Sequence, residues 1–188
     1  MCPFQCCKPL SKVLIDNHSL QWRAAIERAN WEEESETVLE SLPLELLTIM
    51  SDRGSLTTAL KNIGSTSFKV EVIQERLEVP YLSESSRLGL DKSKEATVRQ
   101  VQLCIFEKPV VFARSVIPYD LTKRTETGLA SLGSKPLGHL LFKDGIMKKS
   151  RREFACVEGI YGRRTPYEYE GGLILVNEFF LDGLVEFL

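Results

Sequence analysis

LILVNEFFL, residues 173–181, is apolar at every position except Asn177 and Glu178. A run of this length, rich in β-branched and aromatic residues and preceded by Gly171-Gly172, predicts a strand buried on both faces in the middle of a sheet. Side chains alternate along a strand, so Glu178 shares a row with Ile174, Val176 and Phe180. An ionised group buried without a partner costs several kcal/mol. Glu178 is therefore paired, neutralised or turned toward a cavity.

Outward from this strand, Gly171-Gly172 predicts a hairpin back to YGRRTPYEYE (161–170), itself preceded by RREFACVEGI (151–160). Further upstream, TVRQVQLCIF (97–106) and VVFARSVIP (110–118) flank Glu107-Lys108-Pro109 and form a second hairpin. Alternation begins at FKVEVIQERLEV (68–79), with Phe68, Val70 and Val72 on one face and Lys69, Glu71 and Ile73 on the other. The polar stretch 81–96 reads as an exposed connection. About six strands joined mostly by hairpins, without βαβ alternation, predict an α+β fold: a single antiparallel six-stranded sheet with helices packed on one face.

The remaining segments have helical period. In residues 19–42, Trp22, Ile26 and Ala29 recur at helical spacing beside an acidic run from Glu32 to Glu36, read as a solvated face. Leu46, Leu47, Ile49 and Met50 supply the stripe of a short helix. Asp52-Arg53-Gly54 turns into a second helix that Ser55 caps and Gly64 ends. Between Asp120 and Lys143 helical pattern returns through Leu129, Leu132, Leu140, Leu141 and Phe142, broken at Pro136. Residues 1–40 are expected to be an N-terminal helical extension, and residues 41–188 the domain proper.

The 188 residues suit one core, and 43% hydrophobic with 27% charged side chains is the composition of a globular protein. Twenty-four basic against 26 acidic residues, a formal charge of -2, provide no global field for nucleic acid. No apolar run approaches the ~20 residues of a membrane span. A cytoplasmic protein is expected. Three of the five cysteines (Cys2, Cys6, Cys7) crowd the first seven residues with no CxxC pair, so reduced thiols are expected.

A second charge stands in an apolar row: Arg99 aligns with Val101, Leu103 and Ile105. Either Arg99 and Glu178 pair with each other, or their strands face water, or they line a closed pocket holding one cation and one anion. In the last case a small anionic ligand would engage Arg99 in bidentate fashion, and a ligand hydroxyl would donate to Glu178. Arg114, in a row with Val110, Phe112 and Val116, is either a further cation for such a ligand or the partner of an acid such as Glu178.

RSVIPYDL, LGSKPLGHLLF, YGRRTPYEYEGGLILVNEFF and TVRQVQLC, in their order and spacing, resemble chorismate pyruvate-lyase, which makes 4-hydroxybenzoate for quinone biosynthesis (ubiquinone or plastoquinone). The resemblance runs from about Ala96 to Phe180 and weakens before Phe68. It implies a six-stranded antiparallel sheet with a ligand site closed by helical flaps. It further implies that Arg99 holds the ring carboxylate, that Glu178 meets the ring hydroxyl, and that the backbone N–H of Leu137, after the proline of KPLG, assists at the carboxylate. Leu56 matches a flap-helix position that the family fills with methionine; Met50 is the rival for it. Arg99 and Glu178 are thereby the implied catalytic residues, with Glu178 either a base or an electrostatic partner. The implied partners are chorismate and the products 4-hydroxybenzoate and pyruvate, with no cofactor, no metal and no nucleic acid; a monomer is favoured. The alternative within the same fold is an effector-sensing or carrier domain for an aromatic acid that performs no chemistry.

Other features have plainer readings. The run from Lys148 to Glu153 is expected to be a solvated sheet edge, and Arg163 and Arg164 one inward and one outward side chain. His139 is expected at a surface or cap, and Tyr161, Tyr167 and Tyr169, in one row, in sheet packing.

Overall fold

The computed structural model describes residues 26–124, 137–138 and 148–188. The expected helix through Leu129, Leu132, Leu140, Leu141 and Phe142, together with Trp22, His139 and the three N-terminal cysteines, lies outside these residues. Within them the chain forms an antiparallel sheet of eight strands: β1 (Glu32–Glu33), β2 (Phe68–Glu78), β3 (Ala96–Ile105), β4 (Lys108–Pro118), β5 (Lys148–Lys149), β6 (Glu153–Val157), β7 (Ile160–Tyr169) and β8 (Gly172–Phe180). The order is β1-β6-β7-β8-β4-β3-β2, with β5 also paired to β7. The expected six are the six long strands, and the two-residue β1 and β5 complete the sheet. LILVNEFFL does lie at its centre, as β8 between β7 and β4.

Two-residue turns close three hairpins: Phe106-Glu107, Glu158-Gly159 and Glu170-Gly171, all six residues at positive φ. Positive φ at both central positions is the type I′ geometry that matches strand twist. The last turn is thus Glu170-Gly171, one residue earlier than the glycine pair alone suggests, because Gly172 already pairs with Tyr169.

Among the described residues the sheet is accompanied by α1 (Glu36–Glu40), α2 (Leu44–Ser51), α3 (Leu56–Gly64), α4 (Leu82–Leu88) and α5 (Tyr119–Arg124). The side-chain oxygens of Ser35 and Ser55 accept from Val38 N–H and Thr58 N–H and so cap α1 and α3. On one face of the sheet, Val38, Leu46, Ile49, Met50, Leu56 and Leu60 pack onto Val101, Leu103, Val111 and Phe180 as the main core. Helix α4 covers part of the opposite face, where Leu88 meets Val98, Val116 and Leu175. Helices therefore lie on both faces, the larger group on one.

Cys104 is a buried free thiol, whose pKa burial and then Glu71 push up to about 11. Cys156 is disulfide-bonded, so the expectation of reduced thiols does not hold throughout the chain. No helix among the described residues is long and apolar enough to cross a membrane.

Candidate functional site

Register decides what faces the main core. Across β3, β4, β8 and β7 the directly opposed pairs include Arg99 with Ser115, Val101 with Ala113, Ala113 with Glu178, and Glu178 with Arg163. Opposed residues point to the same side of a sheet, so Arg99, Glu178 and Arg163 share the face that α2 and α3 cover. One strand, β4, separates Arg99 from Glu178, and they are offset by two residues along it. At ~4.8 Å per strand and ~3.3 Å per residue their Cα atoms lie about 12 Å apart. Between them β4 presents Ala113 and Ser115, too small to fill the space.

The result is a cavity of about 60 Å³. Its wall includes Arg99 and Glu178 at its charged positions, Val101 and Val176 on the floor, and Tyr167 from β7. Ser55, Leu56 and Thr57 at the start of α3, and Leu137 with Gly138, line it from outside the sheet. All four residues singled out by the sequence, Leu56, Arg99, Leu137 and Glu178, thus line one cavity. Met50, the rival of Leu56, is fully buried and packs in the core; it offers only its carbonyl oxygen to Arg152 and Arg163.

Arg99 and Glu178 are not each other's partners. Arg99, 2% exposed, pairs with Glu75 of β2. A bulge at Ile73 makes this possible: Val72 opposes Val101 but Gln74 opposes Gln100, so the parity of β2 switches and Glu75 falls opposite Arg99. Simple alternation through residues 68–79 misses this, since one extra residue reverses every side chain beyond it. Glu178 accepts at Oε2 from Arg163 Nε at 2.8 Å.

Arg163 is itself buried, and its Nη1 donates to the carbonyls of Ile49, Met50 and Asp52 at 3.2, 2.8 and 3.1 Å. Burial pulls the Arg163 pKa down, but Glu178 outweighs it and the net shift is upward. The Tyr167 phenol is raised, first by burial and then by the Glu178 charge, so the cavity keeps a neutral hydroxyl. Tyr167 was expected only in sheet packing; the register that puts it at the cavity is legible only once β7 and β8 are aligned.

Arg114 lies on the other face. Its Nε and Nη2 donate to both oxygens of the fully buried Glu84 at 2.9 and 3.0 Å, its Nη1 to Glu78 at 3.0 Å, and it stacks 3.9 Å from the Tyr81 ring centre. Asn177 Nδ2 donates to the same Glu84 at 2.9 Å. Of the two alternatives for Arg114 the pairing with an acid holds, but the acids are Glu84 and Glu78 rather than Glu178, because the row it shares with Phe112 and Val116 faces away from the cavity. Val110 leaves that row at a second irregularity and joins the main core.

Arg163 and Arg164 point to opposite faces of the sheet, but Arg164 is not outward in the sense expected: it is buried like Arg163, pairs with Glu153 at 2.8 Å and stacks on Trp31. The run 148–153 is not uniformly solvated. Arg151 is exposed, but Arg152 is 2% exposed, donates to Glu34 Oε1 at 2.5 Å and to the carbonyls of Met50, Ser51 and Asp52. The acidic run it answers is likewise partly structural, since Glu32 and Glu33 form β1 and Glu34 is drawn inward.

The chorismate lyase family model matches residues 25–185. A probable chorismate pyruvate-lyase of Methylococcus capsulatus is 34% identical over 150 residues, covering 71% of this chain and 93% of that one. One from Pseudomonas putida is 35% identical over 146 residues, covering 72% and 80%, and one from Aromatoleum aromaticum 31% over 165 residues, covering 77% and 89%. In fold the chain is similar to the effector domain of PhnF from Mycobacterium smegmatis, with a TM-score of 0.50 at 12% identity over 69% of this chain and 90% of that one. The cavity with its two separated charges is thus set in a chain that belongs to the chorismate lyase family.

Proposed function

We propose that the protein converts chorismate to 4-hydroxybenzoate and pyruvate in the cytoplasm, supplying the ring precursor of a quinone. The observation that carries this reading is the cavity shared by Leu56, Arg99, Leu137 and Glu178, which bears a cation and an anion on residues whose Cα atoms lie about 12 Å apart across small residues. An aromatic acid with a para hydroxyl is the complement of that layout. Arg99 clamps the ring carboxylate, aided by the N–H of Leu137, and holds the diene in one pose. Glu178 accepts from the 4-hydroxyl.

The chemistry asks little more of the protein, because the driving force is aromatisation. The C3–O bond to the enolpyruvyl group breaks and the C4 hydrogen leaves. In a cyclic step that hydrogen passes to the departing methylene carbon, the ring gains its third double bond and the enol ether becomes the ketone of pyruvate, with no base, metal or organic cofactor. The Arg163 contact favours this route: a proton taken up by Glu178 would leave a buried guanidinium without its counter-charge. Glu178 then acts as a fixed acceptor and not as a base.

At about 60 Å³ the cavity is smaller than the ~150 Å³ that admits benzene in an engineered core. Ligand entry therefore displaces its wall, of which the start of α3 and residues 137–138 are the parts outside the sheet. Incubating the pure protein with chorismate tests the assignment: 4-hydroxybenzoate, read by ultraviolet absorbance, and pyruvate, read by a coupled assay, are expected in equal amounts. Tight 4-hydroxybenzoate binding with chorismate left intact would instead mark an aromatic-acid sensor or carrier, a role the fold likeness to an effector domain keeps in view.

A further inference from the structure

Two buried arginines hold the same turn, and one of them, Arg163, also holds a residue that lines the cavity, Glu178. The carbonyls of residues 49–52, at the C-terminal end of α2, accept from Arg163 and from Arg152. Guanidinium groups suit this place because the last carbonyls of a helix carry partial negative charge and lack intrahelical partners. Arg152 is anchored on its far side by Glu34 at the sheet margin. Arg163 is anchored by Glu178. Three residues beyond Asp52, Ser55 and Leu56 begin the movable wall of the cavity.

We infer that Arg163 is a positioning residue that fixes the Glu178 carboxylate for the ligand's hydroxyl and ties that contact to the wall formed by the start of α3. The planar fork matters: Nε faces Glu178 Oε2 while Nη1 faces the three carbonyls, so one rigid group sets the distance between acid and turn. Oε1 of Glu178 is left to accept from the ligand. Lysine would keep the charge but, as a point donor on a flexible stem, could not hold both sides at once. This inference rests on the reading that Glu178 meets the ring hydroxyl.

The test compares dissociation constants for 4-hydroxybenzoate and benzoate, which differ only by that hydroxyl, in the unsubstituted protein, Arg163→Lys, Arg152→Lys, Glu178→Gln and the Arg163→Lys/Glu178→Gln double variant. The preference for 4-hydroxybenzoate should fall about fivefold or more in Arg163→Lys, stay near its original value in Arg152→Lys, and be no lower in the double variant than in Glu178→Gln alone. Equal weakening of both ligands in Arg163→Lys, or the same loss of preference in Arg152→Lys, would make Arg163 a structural cap only and overturn the inference. Arg163→Gln, which retains a donor of different reach, serves if the lysine variant does not fold. Should Glu178→Gln itself leave the preference intact, the hydroxyl contact fails, and both this inference and that part of the proposed function fall together. A normal Glu178→Gln effect with an inert Arg163→Lys removes the inference alone.

Discussion

Arg99 and Glu178 each have a private counter-ion at the cavity's margin, Glu75 for the one and Arg163 for the other. Each charge at the cavity is thereby balanced from the strand beyond it, β2 for Arg99 and β7 for Glu178, with Ala113 and Ser115 lying between the two pairs. Removing one member of a buried pair costs about 3–5 kcal/mol because the other is stranded, so substitutions at the charges are read only beside a check of folding. Ala113 gives a cleaner probe, being small, apolar and midway between them. Ala113→Val adds two methyl groups to existing space; it should weaken 4-hydroxybenzoate binding at least tenfold while the urea midpoint moves by less than about 1 kcal/mol equivalent. Isothermal titration and urea denaturation read the two arms, and unchanged affinity would remove the cavity from ligand binding. Arg99 and Glu178 were legible in the sequence because a charge in an apolar row is costly and so conspicuous. Glu75 and Arg163 were not, because each pairing depends on the register of a neighbouring strand.

The strands followed from alternation and the hairpins from glycine, with errors where the local rule was broken. The bulge at Ile73 reverses β2 and supplies both faces at once: Glu75 goes to Arg99 on the cavity side, and Glu78 to Arg114 on the other. No periodicity reveals it. The Phe106-Glu107 turn lacks glycine altogether, and Phe106 is held there by stacking on Phe187 with ring centres 6.1 Å apart. The remaining two turns each carry a glutamate at positive φ in their first position, Glu158 at 52° and Glu170 at 46°. Asparagine tolerates that conformation better than glutamate. Glu170→Asn, giving Asn-Gly before β8, should therefore raise stability by about 0.5–1 kcal/mol in urea denaturation without altering ligand affinity; a loss of stability would contradict the type I′ assignment.

For the molecule as a whole, the sheet is a partition with a buried arginine network on each side. On one face Arg99 lines the cavity and Arg163 stands behind Glu178, which lines it too. On the other Arg114 is locked to Glu84, Glu78 and Tyr81, and its pKa is raised because those neighbours outweigh the burial that would lower it. Sequence alone ranks Arg99 and Arg114 alike, since each interrupts an apolar row; only the assembled sheet assigns them to different faces. The same partition explains why α4, read as an exposed connection, is structural, with Glu84 inside it serving as the main partner of Arg114. The direct test of the account is the affinity for 4-hydroxybenzoate of two otherwise matched variants, Arg99→Gln and Arg114→Gln, each checked for folding by circular dichroism. Loss of a buried guanidinium–carboxylate contact costs about 2 kcal/mol or more, so Arg99→Gln should weaken binding ~30-fold or beyond and Arg114→Gln should leave it within about threefold. Equal losses in the two, or a larger loss for Arg114→Gln, would contradict the placement of the ligand between Arg99 and Glu178.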